Sequence, residues 1–188
     1  MSYRVCVIGL DGATFDLIRP WTEAGYLPTL ARLMKEGAWG ELRSTIPPMT
    51  GPAWSTFMTG TNPGKHAIFD WVHRRQDSYD FIPVTAEQCR QPSLWEIASQ
   101  SGKRVLAVNV PMTFPPQNVN GCVVSGLPAT SLATYPAELA GYIREKHPVY
   151  IVYPDPGQAY SDQGIDLFLA NLDQAIEKRL DLWRDLTN

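Results

Sequence analysis

Cysteine is scarce in this 188-residue chain. Cys6, Cys89 and Cys122 are odd in number and far apart, so neither a disulfide framework nor a CxxC metal site is indicated, and a reducing compartment is expected. Histidine is equally sparse, with only His66, His73 and His147. No apolar stretch approaches the ~18 residues of a membrane span, and an apolar run beginning at Tyr3 leaves no room for a basic and apolar leader. The expectation is a cytoplasmic protein with no membrane partner. Charge of neither sign dominates: 16 basic and 19 acidic residues give a net charge of -3, which removes the cationic footprint of a nucleic-acid-polymer binder. Gly9-Leu10-Asp11-Gly12 is not GxGxxG and no Walker motif is present, so the dinucleotide and P-loop readings fail at the residues that would cradle phosphate.

What is present is a pattern of short apolar runs and helical stripes. Tyr3 to Leu10 reads as a central parallel strand buried on both faces, and Ala38 to Thr45 as a second strand. Between them Pro28 opens a helix carrying Leu30, Leu33 and Met34 until Gly37 ends it. A helix is predicted from Thr50 to Thr59-Gly60, followed by an irregular aromatic excursion or cap over residues 61–92, in which Trp71, Tyr79 and Phe81 are expected to pack into a core.

Ser93 caps a helix to Gln100, Arg104 to Val108 and Cys122 to Ser125 are further strands, and Pro136 to Lys146 is a helix. Val149 to Tyr153 reads as an edge strand, and Asp155 and Asp162 flank a Pro-Gly turn. The last helix, from about Gly164 to Leu186, carries Ile165, Phe168, Leu169, Leu172, Ile176, Leu180 and Trp183 on one stripe. The fold class expected is α/β, a mostly parallel sheet flanked by helices, within one domain. A helix of that length normally delivers the chain to another strand, so the expected core is incomplete at residue 188.

Two residues could carry chemistry. Thr50 opens a predicted helix, where backbone N–H groups meet phosphate and where Gly51 offers an amide with no side chain in the way. Its hydroxyl is a poor nucleophile unless a divalent metal lowers its pKa. Asp11 ends the first apolar run, where an open α/β sheet places ligand-binding groups. Taken singly, Thr50 reads equally as a helix N-cap, and Asp11-Gly12 as turn chemistry.

Together the motifs resemble the alkaline phosphatase superfamily, in its type I phosphodiesterase and nucleotide pyrophosphatase branch. The resemblance rests on Val7-Ile8-Gly9-Leu10-Asp11-Gly12, on Leu27-Pro28-Thr29-Leu30 with Leu33 and Gly37, on Thr50-Gly51-Pro52 leading to Thr56-Phe57-Met58-Thr59-Gly60, and on Pro63-Gly64-Lys65-His66. It implies an alkaline-phosphatase-like core of which residues 1–188 are the N-terminal part. It implies a metal-dependent phosphoric ester hydrolase with two divalent ions, usually zinc, in which Asp11 ligates one metal and Thr50 is the metal-bound nucleophile. The remaining aspartate and histidine ligands lie in family members beyond the region spanned here, so the chain alone is expected to be inactive, with His66 a structural residue.

Nucleotide pyrophosphatases of this branch carry a phosphoryl-contacting asparagine after the nucleophile, whereas this chain reads Ile68-Phe69-Asp70-Trp71, which leaves the small phosphorylated substrate open. Thr50-Gly51-Pro52-Ala53-Trp54 also lacks the cysteine or serine and the arginine of a sulfatase motif. Two alternatives are a non-catalytic α/β module that binds a phosphorylated ligand at the Thr50 helix, and a phosphomutase relative. Oligomeric state is not specified.

Overall fold

The computed structural model describes residues 4–154 and 164–187. The chain divides into two compact units, Met1–Ser44 and Thr45–Asn188.

The first unit is helical. Residues 4–10, expected as the first strand, form none, and Val5 and Ile8 are 86% and 81% exposed. Residues 38–45, expected as the second, form none either. Apolar composition favours a strand, but only a hydrogen-bonded neighbour makes one, and among the described residues neither run joins a sheet. Asp11 and Gly12 occupy a turn in which Ala13 N donates to Leu10 O, and Gly12 takes φ 70°, the left-handed conformation that glycine adopts without penalty. Helix α1 (Phe15–Glu23) follows, capped by Thr14, whose hydroxyl accepts the Asp16 amide. Helix α2 (Pro28–Glu36) begins with proline at its first turn and ends at Gly37, as its sequence signals. Arg19 pairs with Glu41 at 2.8 Å and lies over the rings of Phe15 and Trp39.

The second unit opens with helix α3 (Thr50–Thr59), then the short α4 (Pro63–His66) and an antiparallel hairpin of β1 (Val72–Arg74) and β2 (Phe81–Pro83). Trp71 packs on the core as expected, but Tyr79 and Phe81 do not, at 90% and 67% exposure. Two paired strands bury little by themselves, so the outer rings of the hairpin stay in solvent. Helix α5 (Leu94–Gln100) carries a capping box: the Ser93 hydroxyl accepts the Glu96 amide while the Glu96 carboxylate accepts the Ser93 amide.

Strands β3 (Val105–Val110) and β4 (Gly121–Ser125) pair in parallel, and β5 (Thr134–Tyr135) pairs antiparallel with β4. The fold is therefore mixed α/β with small sheets rather than one mostly parallel sheet, because among the described residues the two N-terminal runs join no sheet and β5 runs the opposite way. Met58, Ile68, Trp95, Met112 and Val123 form the main core.

Helix α6 (Leu139–Lys146) starts three residues after Pro136, and no strand forms over residues 149–153. Asp155 and Asp162 lie outside the described residues. Helix α7 (Gly164–Thr187) has the expected span but a different inward face. Ala175 and Leu182 are fully buried, Leu182 against Val124 and Ile143, while Ile165, Leu169, Ile176, Leu180 and Trp183 of the expected stripe are each more than 40% exposed. Among the described residues, no helix is long and apolar enough to cross a membrane.

Candidate functional site at the start of helix α3

The start of α3 is set by its sequence. Met49 is extended at the N-cap and makes no side-chain cap, and Thr50 is the first helical residue rather than the cap. Pro52 fits the first turn because it has no N–H to lose, and Ala53 N closes the first helical bond on Met49 O at 2.9 Å. Gly60 ends the helix in the left-handed conformation at φ 65°. Thr50 is half-buried and so open to solvent on one side, whereas Gly51 and Pro52 are buried.

The missing side chain of Gly51 is turned inward. A methyl there would meet the carbonyl oxygen of Asp70 at 3.7 Å and the Met112 sulfur at 3.8 Å, both ordinary contacts. Met112 follows the carboxyl end of the parallel strand β3, is fully buried, and anchors its own amide on Leu127 O. Ligand sites of α/β sheets lie at that end of the strands.

Asp70 is held in place by the turn before it. His66 is fully buried, with Nδ1 accepting the Ile68 amide at 3.1 Å and Nε2 2.9 Å from the Thr56 hydroxyl on α3. Since Nδ1 accepts, the neutral ring carries its proton on Nε2 and donates it to Thr56. Burial draws the imidazole below the ordinary histidine pKa, which keeps it in that neutral form.

A family model described as type I phosphodiesterase / nucleotide pyrophosphatase matches residues 5–183. The chain belongs to that family. No curated protein and no solved structure gives a significant match. Membership places this phosphodiesterase-family protein among hydrolases and is consistent with the alkaline phosphatase superfamily recognised from its motifs.

The family is in general metal-dependent, but the residues described here do not build a metal site. Asp11 lies in the turn of the first unit, and Thr50 and Gly51 belong to the second. Among the described residues, no group of three or more His, Cys, Asp or Glu is placed to hold an ion, and zinc takes three or four protein ligands. His66 has both ring nitrogens engaged, so it serves as a staple between α3 and the following turn. His73 is exposed on β1. His147 bonds the Asp185 carboxylate at 3.0 Å, and the Tyr142 hydroxyl donates to the same oxygen at 2.7 Å. These two hydrogen bonds, that from His147 first, hold Asp185 below the usual carboxylate range.

Sequence reasoning missed a second polar cluster. With the Asn109 carbonyl turned towards Arg179, it accepts from Nη2 at 3.1 Å, and the amide nitrogen donates to Val152 O at 3.0 Å. Asn109 sits at the irregularity in β3 with φ 58°, a conformation asparagine tolerates better than most residues. Tyr150 packs beside them, and burial pushes its hydroxyl pKa up to about 12. No local motif announces this cluster, because its members come from β3, the loop after α6, and α7.

A groove of about 480 Å³, lined in part by Glu87, Cys89, Arg90, Glu96, Pro115 and Gln117, includes neither Thr50 nor Gly51 in its walls. Its one thiol, Cys89, is raised in pKa by burial and donates to Gln91 O, so it is a weak nucleophile.

Proposed function

We propose that the protein is a phosphoric ester hydrolase of the phosphodiesterase type, with Thr50 as its nucleophile. The observation that carries this reading is the placement of Thr50 as the solvent-reachable first residue of α3, within a family of phosphodiesterases. At a helix N-terminus the first amides have no intrahelical acceptor and the helix dipole favours negative charge. The phosphoryl group sits against this end, with the Gly51 N–H donating to one of its oxygens.

Thr50 Oγ1 then forms a bond to phosphorus as the ester P–O bond breaks. The hydroxyl proton passes to solvent, and the departing alcohol takes one up. Water attacks the phosphothreonine in the second half-reaction, restoring the hydroxyl and releasing the phosphate product. Asp11 is proposed as a metal ligand together with Thr50. Because the described donors fall short of a metal site, no step is assigned to an ion, and zinc is the identity the resemblance suggests.

The test is Thr50→Ala in the full-length protein supplied with divalent zinc, assayed on bis(p-nitrophenyl) phosphate. Hydrolysis should fall by at least ~10³-fold with an unchanged unfolding transition, in line with removal of a covalent nucleophile. Mass spectrometry of acid-quenched wild-type protein should find phosphate on Thr50. Wild-type turnover in the variant would remove Thr50 from the mechanism.

A further inference from the structure

We infer that Met112 is a positioning residue for the Thr50 site: hydrogen bonds from Thr113, Ser125 and Gly126 lock it in the left-handed conformation that brings its sulfur beneath the first turn of α3. The inference rests on the proposal that phosphorus is attacked at Thr50, and it adds what keeps that nucleophile aligned.

Thr50 stands on the first turn of its helix. Met49 provides no side-chain cap there, and terminal turns are where helices fray, so packing against the inner side of the turn bears directly on where Thr50 sits. That inner side is the buried Gly51. Among the described residues, the side-chain atom nearest to it from outside α3 is the Met112 sulfur, 3.8 Å from the place a Cβ would take. Met112 is fully buried and shares its core cluster with Met58, near the other end of the same helix.

The backbone that delivers this sulfur is strained. Met112 has φ 64°, and Asn109, at the irregularity in β3, has φ 58°. A residue other than glycine held in this region relaxes to a right-handed or extended conformation once released, and its Cα–Cβ bond then points elsewhere.

Four hydrogen bonds oppose the release. The Thr113 hydroxyl donates to Val110 O at 2.6 Å and accepts the Gly126 amide at 3.0 Å. The Ser125 hydroxyl donates to Thr113 O at 2.7 Å, and the Met112 amide donates to Leu127 O at 2.6 Å. Thr113 and Ser125 are fully buried, so water does not compete for these partners. Gly126 is needed for the close approach, since a Cβ there would meet Val110 O at 2.5 Å and Asn109 O at 2.6 Å. The lock thus ties the exit of β3 to the exit of β4 and leaves Met112 one position to occupy.

Strain of this kind persists only where the surroundings over-determine it, and it gathers at functional sites. Its product here is the aim of one side chain at the turn that carries Thr50. Attack on phosphorus is far more sensitive to the position of the oxygen than binding is to the position of an amide, and a misplacement of ~1 Å costs about a hundredfold in rate. Loss of the Met112 support therefore falls on kcat rather than on KM.

The experiment measures kcat and KM for bis(p-nitrophenyl) phosphate in the full-length protein supplied with divalent zinc, at a temperature where near-ultraviolet circular dichroism shows each variant folded. Met112→Ala should lower kcat about ten- to a hundredfold with KM within about threefold of wild type. Met112→Leu keeps the volume and should stay within about threefold in both. Thr113→Val removes the hydroxyl but leaves Met112 in the chain, and should reproduce the kcat loss, while Thr113→Ser keeps the hydroxyl and should restore kcat. A reading on wild-type protein needs no variant to retain activity: in spectra of 13C-methyl-labelled methionine, assigned through Met112→Leu, the Met112 signal should shift at concentrations of inorganic phosphate that inhibit turnover. Full kcat in Met112→Ala, a loss confined to KM, no rescue by Thr113→Ser, or a Met112 signal indifferent to phosphate each overturns the inference. Thr50→Ala, run alongside, separates the two proposals: an inactive Thr50→Ala with full kcat in Met112→Ala removes the positioning role alone, whereas an active Thr50→Ala removes the nucleophile and the positioning with it.

Discussion

Nε2 of His66 lies 2.9 Å from the hydroxyl of Thr56, and this contact joins helix α3 to the turn that brings Asp70 against Gly51. The ring is fully buried and its other nitrogen is engaged, so the link has a fixed direction: His66 donates and Thr56 accepts. One side chain thus connects the body of the helix to the wall beside its first residues.

Removing that ring should be costly. His66→Ala strands the buried Ile68 amide and takes the partner from the half-buried Thr56 hydroxyl, and a loss of ~2–4 kcal/mol is expected in urea unfolding at pH 7.5. A pH series adds a sign. Burial lowers the folded-state pKa below the unfolded value of ~6.5, so the unfolded chain takes up the proton first as pH falls. The contribution is complete above pH ~6.5 and is lost as pH drops towards the folded pKa. His66→Ala should flatten this limb of the stability profile, and an unaltered limb would assign it to other groups.

Gly51 tests whether the site uses the amide or the empty space beside it. The added methyl of Gly51→Ala meets Asp70 and Met112 at ordinary contact distances and keeps the N–H. The melting temperature should hold or rise, since alanine is favoured over glycine within a helix by up to ~1 kcal/mol, and hydrolysis should stay within a few fold. The larger side chain of Gly51→Leu overfills the same space at a cost of ~1–3 kcal/mol and displaces Asp70. Thermal unfolding of both variants checks this ordering. Equal destabilisation by alanine and leucine would contradict the packing.

Helix α7 offers a direct comparison of its two apolar faces. Leu182 is fully buried and Ile176 is 47% exposed. Leu182→Ala should cost ~2–5 kcal/mol by cavity formation against Val124 and Ile143, whereas Ile176→Ala should cost under ~1 kcal/mol. Chemical denaturation of the two variants measures the difference, and similar losses would mean that the helix is turned the other way.

Much of the local architecture was legible in sequence because its causes are local. Pro28 and Gly37 bracket α2, Ser93 and Glu96 form the box that starts α5, and Gly60 closes α3, each through bonds to residues a few positions away. The strands were read less well, since their partners are distant: the runs at 4–10 and 38–45 have strand composition but no sheet neighbour among the described residues, while β3 and β4 have both. The stripe on α7 failed for a related reason. Periodicity identified a helix with many apolar residues, but the face turned inward is the one that fits Val124 and Ile143, and it holds the small Ala175.

The sequence by itself determined the family, through ordered motifs around Asp11, Thr50 and His66, and with it the class of chemistry, because those signals are residue identities at fixed spacing along one chain. Only the tertiary structure decided what stands beside them: Asp70 and Met112 against Gly51, His66 on Thr56, and Asn109 with Arg179. Those relationships depend on how segments far apart in sequence pack against one another, and a side chain's contacts across such a gap are fixed by the shape of both partners rather than by the pattern of either.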